Sequence, residues 1–153
     1  MSEHEIKQLP ELHFVGLPVH CPSGKPEGIG ETWDKLFARH DDVPQHMDYW
    51  GVSWGDGGSG FHYLAAHQVP PGTPTPDGMI SRIVPAAKYA RWPFEDDVQR
   101  MSAAFHDIFE NLMPQAGLKM NMADDHACLE YYPPDCFDEA ANTIRADLYV
   151  SVE

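Results

Sequence analysis

The sequence predicts an α+β domain, with helices covering one face of a largely antiparallel sheet, and three observations predict it. Apolar residues recur at helical three-and-four spacing around residues 29–40 and again around 96–112. Aromatic and β-branched runs of strand length flank both segments. The order strand-helix-strand-strand thereby occurs twice within 153 residues, a length typical of one domain. The two copies share element order and length rather than residue identity.

In chain order, Leu12–His20 reads as a strand, its Phe14, Val15, Leu17 and Val19 preceding a turn-rich stretch with Pro22, Gly24 and Pro26. Ile29, Thr32, Trp33, Leu36, Phe37 and His40 make one helical stripe, and Glu31 and Asp34 sit near its start, where carboxylates favour the helix dipole. Tyr49–Trp54 and Phe61–Gln68 read as a hairpin across the flexible turn Gly55–Gly60. Residues 69–78, with Pro70, Pro71, Pro74 and Pro76, form a connector that supports neither helix nor interior strand.

The second copy follows. A short strand Met79–Val84 leads to a strand Ala87–Trp92 and a helix Asp96–Leu112, with Val98, Met101, Phe105, Ile108, Phe109 and Leu112 on one face. Met113-Pro114 and Gly117 are expected to end that helix. Strands His126–Tyr132 and Ala146–Val152 complete the copy. The chain 1–153 thus reads as one domain of two modules, about 11–68 and 79–152. Two such modules side by side enclose a cleft to which both donate side chains.

Bulk charge narrows the function. With 24 acidic against 10 basic side chains, the formal net charge of −14 repels phosphate backbones, which argues against direct nucleic-acid binding. The same field concentrates cationic ligands, although an acidic surface also serves solubility alone. No apolar run approaches the roughly 20 residues that cross a bilayer, and the acidic start Met1-Ser2-Glu3-His4-Glu5 is unlike a secretory signal. A cytoplasmic protein without membrane partners is expected. Cys21, Cys128 and Cys136 are odd in number and lack zinc spacing, and read as free thiols.

The most informative segment is His126-Ala127-Cys128-Leu129-Glu130-Tyr131-Tyr132-Pro133. Strand alternation sends Ala127, Leu129 and Tyr131 to one face, which reads as core, and Cys128, Glu130 and Tyr132 to the other. A glutamate central in an apolar strand is costly to bury as an anion without a partner. It therefore invites a functional explanation, unless it faces water or pairs with Lys88 or Arg91. In the last strand Leu148, Val150 and Val152 alternate with Asp147, Tyr149 and Ser151, giving a second tyrosine-bearing mixed face. Tyr49, Trp50, Trp54, Phe61, Tyr63, Tyr89 and Trp92 add rings, each of which could also be core. Rings around a carboxylate would attract a flat organic cation, each desolvated aromatic face contributing roughly 0.5–2 kcal/mol.

The chain resembles the GyrI-like small-molecule-binding family, also found as the effector-binding half of AraC-type and MerR-type multidrug regulators. The likeness rests on Phe14-Val15-Gly16-Leu17, Tyr49-Trp50-Gly51-Val52 and Val84-Pro85-Ala86-Ala87-Lys88-Tyr89-Ala90-Arg91-Trp92, followed in order by Leu112-Met113-Pro114-Gln115-Ala116-Gly117, Leu129-Glu130-Tyr131-Tyr132 and Asp147-Leu148-Tyr149-Val150. The resemblance implies two modules related by a pseudo-twofold and an aromatic cleft whose central glutamate matches Glu130. The chain departs from the family at Asn111-Leu112-Met113-Pro114, where Trp-Leu-Pro is usual, at Ala116-Gly117, where Ser-Gly is usual, and in its proline-rich connector. No helix-turn-helix segment is legible, so a standalone binder is expected rather than a transcriptional switch.

The leading expectation is a protein that sequesters or senses lipophilic, cationic, drug-like compounds. Glu130 supplies countercharge, and Tyr49, Trp54, Tyr63, Trp92, Tyr132 and Tyr149 supply stacking surface. Some members of the family hydrolyse strained cyclopropane-bearing genotoxins, so Glu130 as a general base of a hydrolase is the alternative. A gyrase-type protein inhibitor is a third class, with no surface localised for it and no oligomeric state implied. No cofactor is expected. A metal is not expected either, since His62 and His67, like His13 and His20, fall on opposite strand faces by spacing. Cys128 shares the face of Glu130 but has no activating histidine at a motif spacing, and Gly55–Gly60 lacks the lysine of a phosphate loop.

Overall fold

The structure, a computed structural model, describes residues 3–121 and 128–153. Among them, nine strands pair antiparallel in one sheet. They are β1 (Glu5–Leu9), β2 (Leu12–Cys21), β3 (Tyr49–Gly55), β4 (Phe61–Gln68), β5 (Ile80–Val84), β6 (Ala87–Asp96), β7 (Cys128–Tyr132), β8 (Phe137–Asp138) and β9 (Thr143–Ser151). His126 and Ala127, read above as the start of a strand, lie outside the described residues.

The strand order is β1-β6-β9-β7-β3-β4-β2-β5, with β8 beside β9. Outward from the β3–β7 seam the halves match, one running β3-β4-β2-β5 and the other β7-β9-β6-β1. Each outermost strand comes from the start of the other half. Glu5↔Arg91, Leu9↔Ala87, Leu12↔Val84 and Gly16↔Ile80 keep one register across the breaks, so Pro10-Glu11 lies opposite Pro85-Ala86. A flat sheet of eight strands would be about 34 Å wide, whereas the two residues between β1 and β2 let the chain reach about 11 Å. The sheet is therefore rolled until its margins meet at this proline-marked bend.

The inward face packs Leu12, Phe14, Trp50, Val52, Leu64 and Leu129 into one cluster. The outward face carries the helices. On it α1 (Ile29–Ala38) buries Leu36 against Val15 and Ala65, and α2 (Met101–Asp107) buries Met101 against the β6 and β9 residues Trp92 and Leu148. None of the helices among the described residues is long and apolar enough to cross a membrane.

Two sequence expectations need correction. Strand β6 runs on to Asp96, through Pro93, because β1 stops opposite Arg91 and leaves β6 an edge there, where a residue without an N–H is tolerated. Nor does Pro114 end the second helix. After α2 the chain widens into a π-helical turn, Ile108–Leu112, in which the Met113 N–H bonds Ile108 O, and then closes as Met113–Gln115. The wider turn accommodates a proline ring that would meet the carbonyl four residues back in a regular α-helix. Strand β1 carried no signal because its residues are mostly exposed, and it is held chiefly by backbone pairing with β6, helped by Leu9 against the inward core and the Glu5–Arg91 contact.

Candidate functional site

Cross-strand register places Leu17, Ala65, Gly51, Glu130, Leu148 and Trp92 in one row on the helix face. Glu130 and Gly51 stand at its centre, on the two sides of the seam. Directly opposite residues share a face, and so do residues two apart, so Tyr132, Tyr49 and Tyr63 share this one with Glu130. Their side chains converge. The Tyr63 hydroxyl donates to Glu130 Oε1 at 2.8 Å and the Tyr132 hydroxyl to the same oxygen at 2.5 Å.

Each phenol also reaches a helix. Trp33 Nε1–H of α1 donates to the Tyr63 hydroxyl at 3.1 Å, and the Tyr132 hydroxyl lies 3.4 Å from Met101 Sδ of α2. The carboxylate thus sits on the floor of the seam between the two helices. Its residue is only 9% exposed. Among the described residues no lysine, arginine or histidine pairs with it. Lys88 is exposed, and Arg91 is engaged by Glu5 at 3.1 Å and Asp147 at 2.5 Å. Glu130 therefore neither faces bulk solvent nor pairs with Lys88 or Arg91.

The electrostatics follow from that isolation. Burial pushes the Glu130 carboxyl up from its ordinary range, and the Tyr132 and Tyr63 hydrogen bonds pull it part of the way back. Burial and the adjacent carboxylate raise both phenols well above the ordinary tyrosine value, so they remain donors. Cys128 is pushed to about 12 by burial and by Glu130, which leaves a neutral, inert thiol. The arrangement is a desolvated carboxyl held by two hydroxyls, with no cationic side chain paired to it among the described residues. Both bonds fall on Oε1, and among the described residues none is made to Oε2.

Of the seven residues expected at the site, the structure brings four together. Tyr49 is the fourth, edge-on to Trp33 at 6.0 Å and opposite Tyr132 in register. The other three are elsewhere. Tyr149 pairs with Leu129 and joins the inward core, because the register puts Leu148 and not Tyr149 beside Glu130. Trp54 also faces inward, with the Arg82 guanidinium 3.7 Å over its ring. Trp92 lies in the Glu130 row but two strands away, 1% exposed in the α2 core. Sequence reasoning missed Trp33 and Gly51. Trp33 was legible only as part of a helical stripe, and nothing in the sequence marks Gly51 as the residue facing Glu130.

A groove of ≈ 770 Å³ opens elsewhere, over Arg91, Phe94, Arg100, Ala104, Arg145 and Asp147. Arg91 pairs with Asp147 there and Arg100 lies 3.8 Å from Asp96, so charges of both signs line this groove. No three His, Cys, Asp or Glu side chains among the described residues are placed to hold a metal.

The GyrI-like small molecule binding domain model matches residues 2–153. The chain belongs to that family. The transcriptional regulator BrlR of Pseudomonas aeruginosa is 26% identical over 150 residues, covering 96% of this chain and 54% of that protein. The chain therefore spans about half the length of this curated relative. SAV2435, solved bound to tetraphenylphosphonium, shares the fold with a TM-score of 0.77 at 14% identity, over 99% of this chain and 94% of that one. A hydrolase from Listeria innocua shares it with a TM-score of 0.62 at 12% identity, over 99% and 92%.

Proposed function

We propose that the chain binds a lipophilic aromatic cation at Glu130, sequestering or sensing it, with Tyr49, Tyr63 and Tyr132 supplying ring surface. One observation carries this reading: a carboxylate 9% exposed, held by two phenols and by no cation among the described residues. Burying an anion without a counter-charge is costly, and a ligand that brings a positive charge into the seam recovers that cost. Aromatic faces around the charge favour delocalised organic cations over hydrated metal ions. Tetraphenylphosphonium, the ligand of SAV2435, is a cation of this class.

A second reading, hydrolysis of a strained electrophile with Glu130 as general base, draws on the upward shift of its carboxyl. Calorimetric titration with tetraphenylphosphonium, beside incubation with a cyclopropane-bearing electrophile, tests the two. Saturable one-to-one binding of the cation with the electrophile recovered intact supports binding. Multiple turnovers lost in Glu130→Ala support hydrolysis, and failure to bind the cation contradicts the first reading.

A further inference from the structure

The Trp33 indole contacts all three tyrosines that surround Glu130. Its N–H donates to the Tyr63 hydroxyl at 3.1 Å, and its ring stands edge-on to Tyr132 at 5.5 Å and to Tyr49 at 6.0 Å. Among the described residues, Tyr132 and Tyr63 are the two groups bonded to the carboxylate. Resting on the binding reading above, we propose that Trp33 holds the ligand's place in the free protein, so that a ligand enters by displacing the indole and resembles it as a flat aromatic N–H donor.

The position of the indole lets it leave without unseating α1. Leu36, wholly buried, anchors α1 to the sheet, whereas Trp33 is half-buried and its neighbour Phe37 on the same stripe is 53% exposed. Rotation about the Trp33 side chain therefore costs its ring contacts and one hydrogen bond without unseating the helix. The hydroxyl chemistry defines what replaces it. Tyr63 has one proton, and that proton goes to Glu130. Its oxygen accepts from Trp33, and after displacement it accepts from an N–H of the ligand. A planar cation with N–H groups on its ring system thus reproduces both the indole's bond and its shape while adding the positive charge. Tetraphenylphosphonium supplies the charge and aromatic rings but neither an N–H nor a planar shape.

A resident group that must vacate lowers apparent affinity by the fraction of molecules it occupies. Titrating the wild type, Trp33→Phe and Trp33→Ala with proflavine, a planar diaminoacridinium, and with tetraphenylphosphonium tests the proposal. Melting curves confirm that each variant is folded. Proflavine is expected to bind Trp33→Ala about tenfold more tightly than the wild type, and Trp33→Phe, which keeps a ring but loses the N–H tether, to fall between. The wild type is expected to favour proflavine over tetraphenylphosphonium. Unchanged or weaker proflavine binding in both folded variants overturns the proposal and makes Trp33 a wall of the site, with cation binding itself intact. If no protein binds either cation, the binding reading fails as well.

Discussion

Gly51 stands directly opposite Glu130 across the β3–β7 seam, and a Cβ at Gly51 would fall 2.6 Å from Glu130 Oε1 and closer still to the Tyr63 hydroxyl. The two positions are counterparts in the matched halves, one supplying a carboxylate and the other the space it occupies. Gly51→Ala is expected to break the Tyr63–Glu130 bond, since the buried phenol cannot retreat. Thermal melting should show a loss of about 1–3 kcal/mol, and tetraphenylphosphonium affinity should fall by about tenfold. Unaltered melting and binding would show that the carboxylate does not depend on this close approach.

The upward shift of the Glu130 carboxyl fixes the pH dependence of cation binding. Burial raises it and two hydroxyls partly offset the rise, so over the window just above the ordinary carboxylate range the free protein keeps a proton that a cation must expel. Affinity is therefore lowest in acid, climbs by up to about tenfold per pH unit, and levels off once pH exceeds the raised value. Calorimetry at pH 5 and pH 8, each in two buffers of different ionisation enthalpy, should detect proton release on binding that diminishes as the pH rises. A flat affinity profile would detach Glu130 from binding.

His67 supplies a separate prediction about stability. It is fully buried on β4, its ring nitrogens have no hydrogen-bond partner among the described residues, and its ring packs on His46 at 4.6 Å and Tyr49 at 4.7 Å. Burial, with His46 and His40 adding repulsion, lowers its pKa to about 4. Between the ordinary histidine value and that one, the unfolded chain binds a proton that the folded chain does not. Stability is therefore lost as pH falls through this window, by about 2 kcal/mol between pH 7 and pH 5. Urea unfolding at pH 7 and pH 5 should show the loss in the wild type and a smaller one in His67→Phe. Equal losses would place the acid sensitivity elsewhere.

Much of the sheet was legible because its strands alternate cleanly and turn residues bracket them. The strand Phe61–Gln68 stands unchanged, and Tyr49–Trp54 and Ala87–Trp92 stand with their ends extended to Gly55 and Asp96. Glu130 was legible for a different reason, as a charge at odds with its strand. Register was not, because it depends on which strands become neighbours. That is why Tyr149 read as a site residue although Leu148 is the residue beside Glu130. Trp54 and Trp92 show the same limit, since an aromatic residue reads alike on either face of a rolled sheet. Trp33 was hidden by its spacing, which serves the α1 core stripe and the seam equally.

The central claim is that a buried anion short of a counter-charge receives a cation, and the Glu130→Gln variant separates charge from shape. The amide fits the same space and still accepts from Tyr63 and Tyr132. The deciding measurement is tetraphenylphosphonium affinity of wild type and Glu130→Gln by calorimetry at pH 8, well above the ordinary carboxylate range. At least about tenfold weaker binding by the variant is predicted. Equal affinities would mean that the rings alone hold the ligand and would contradict the account.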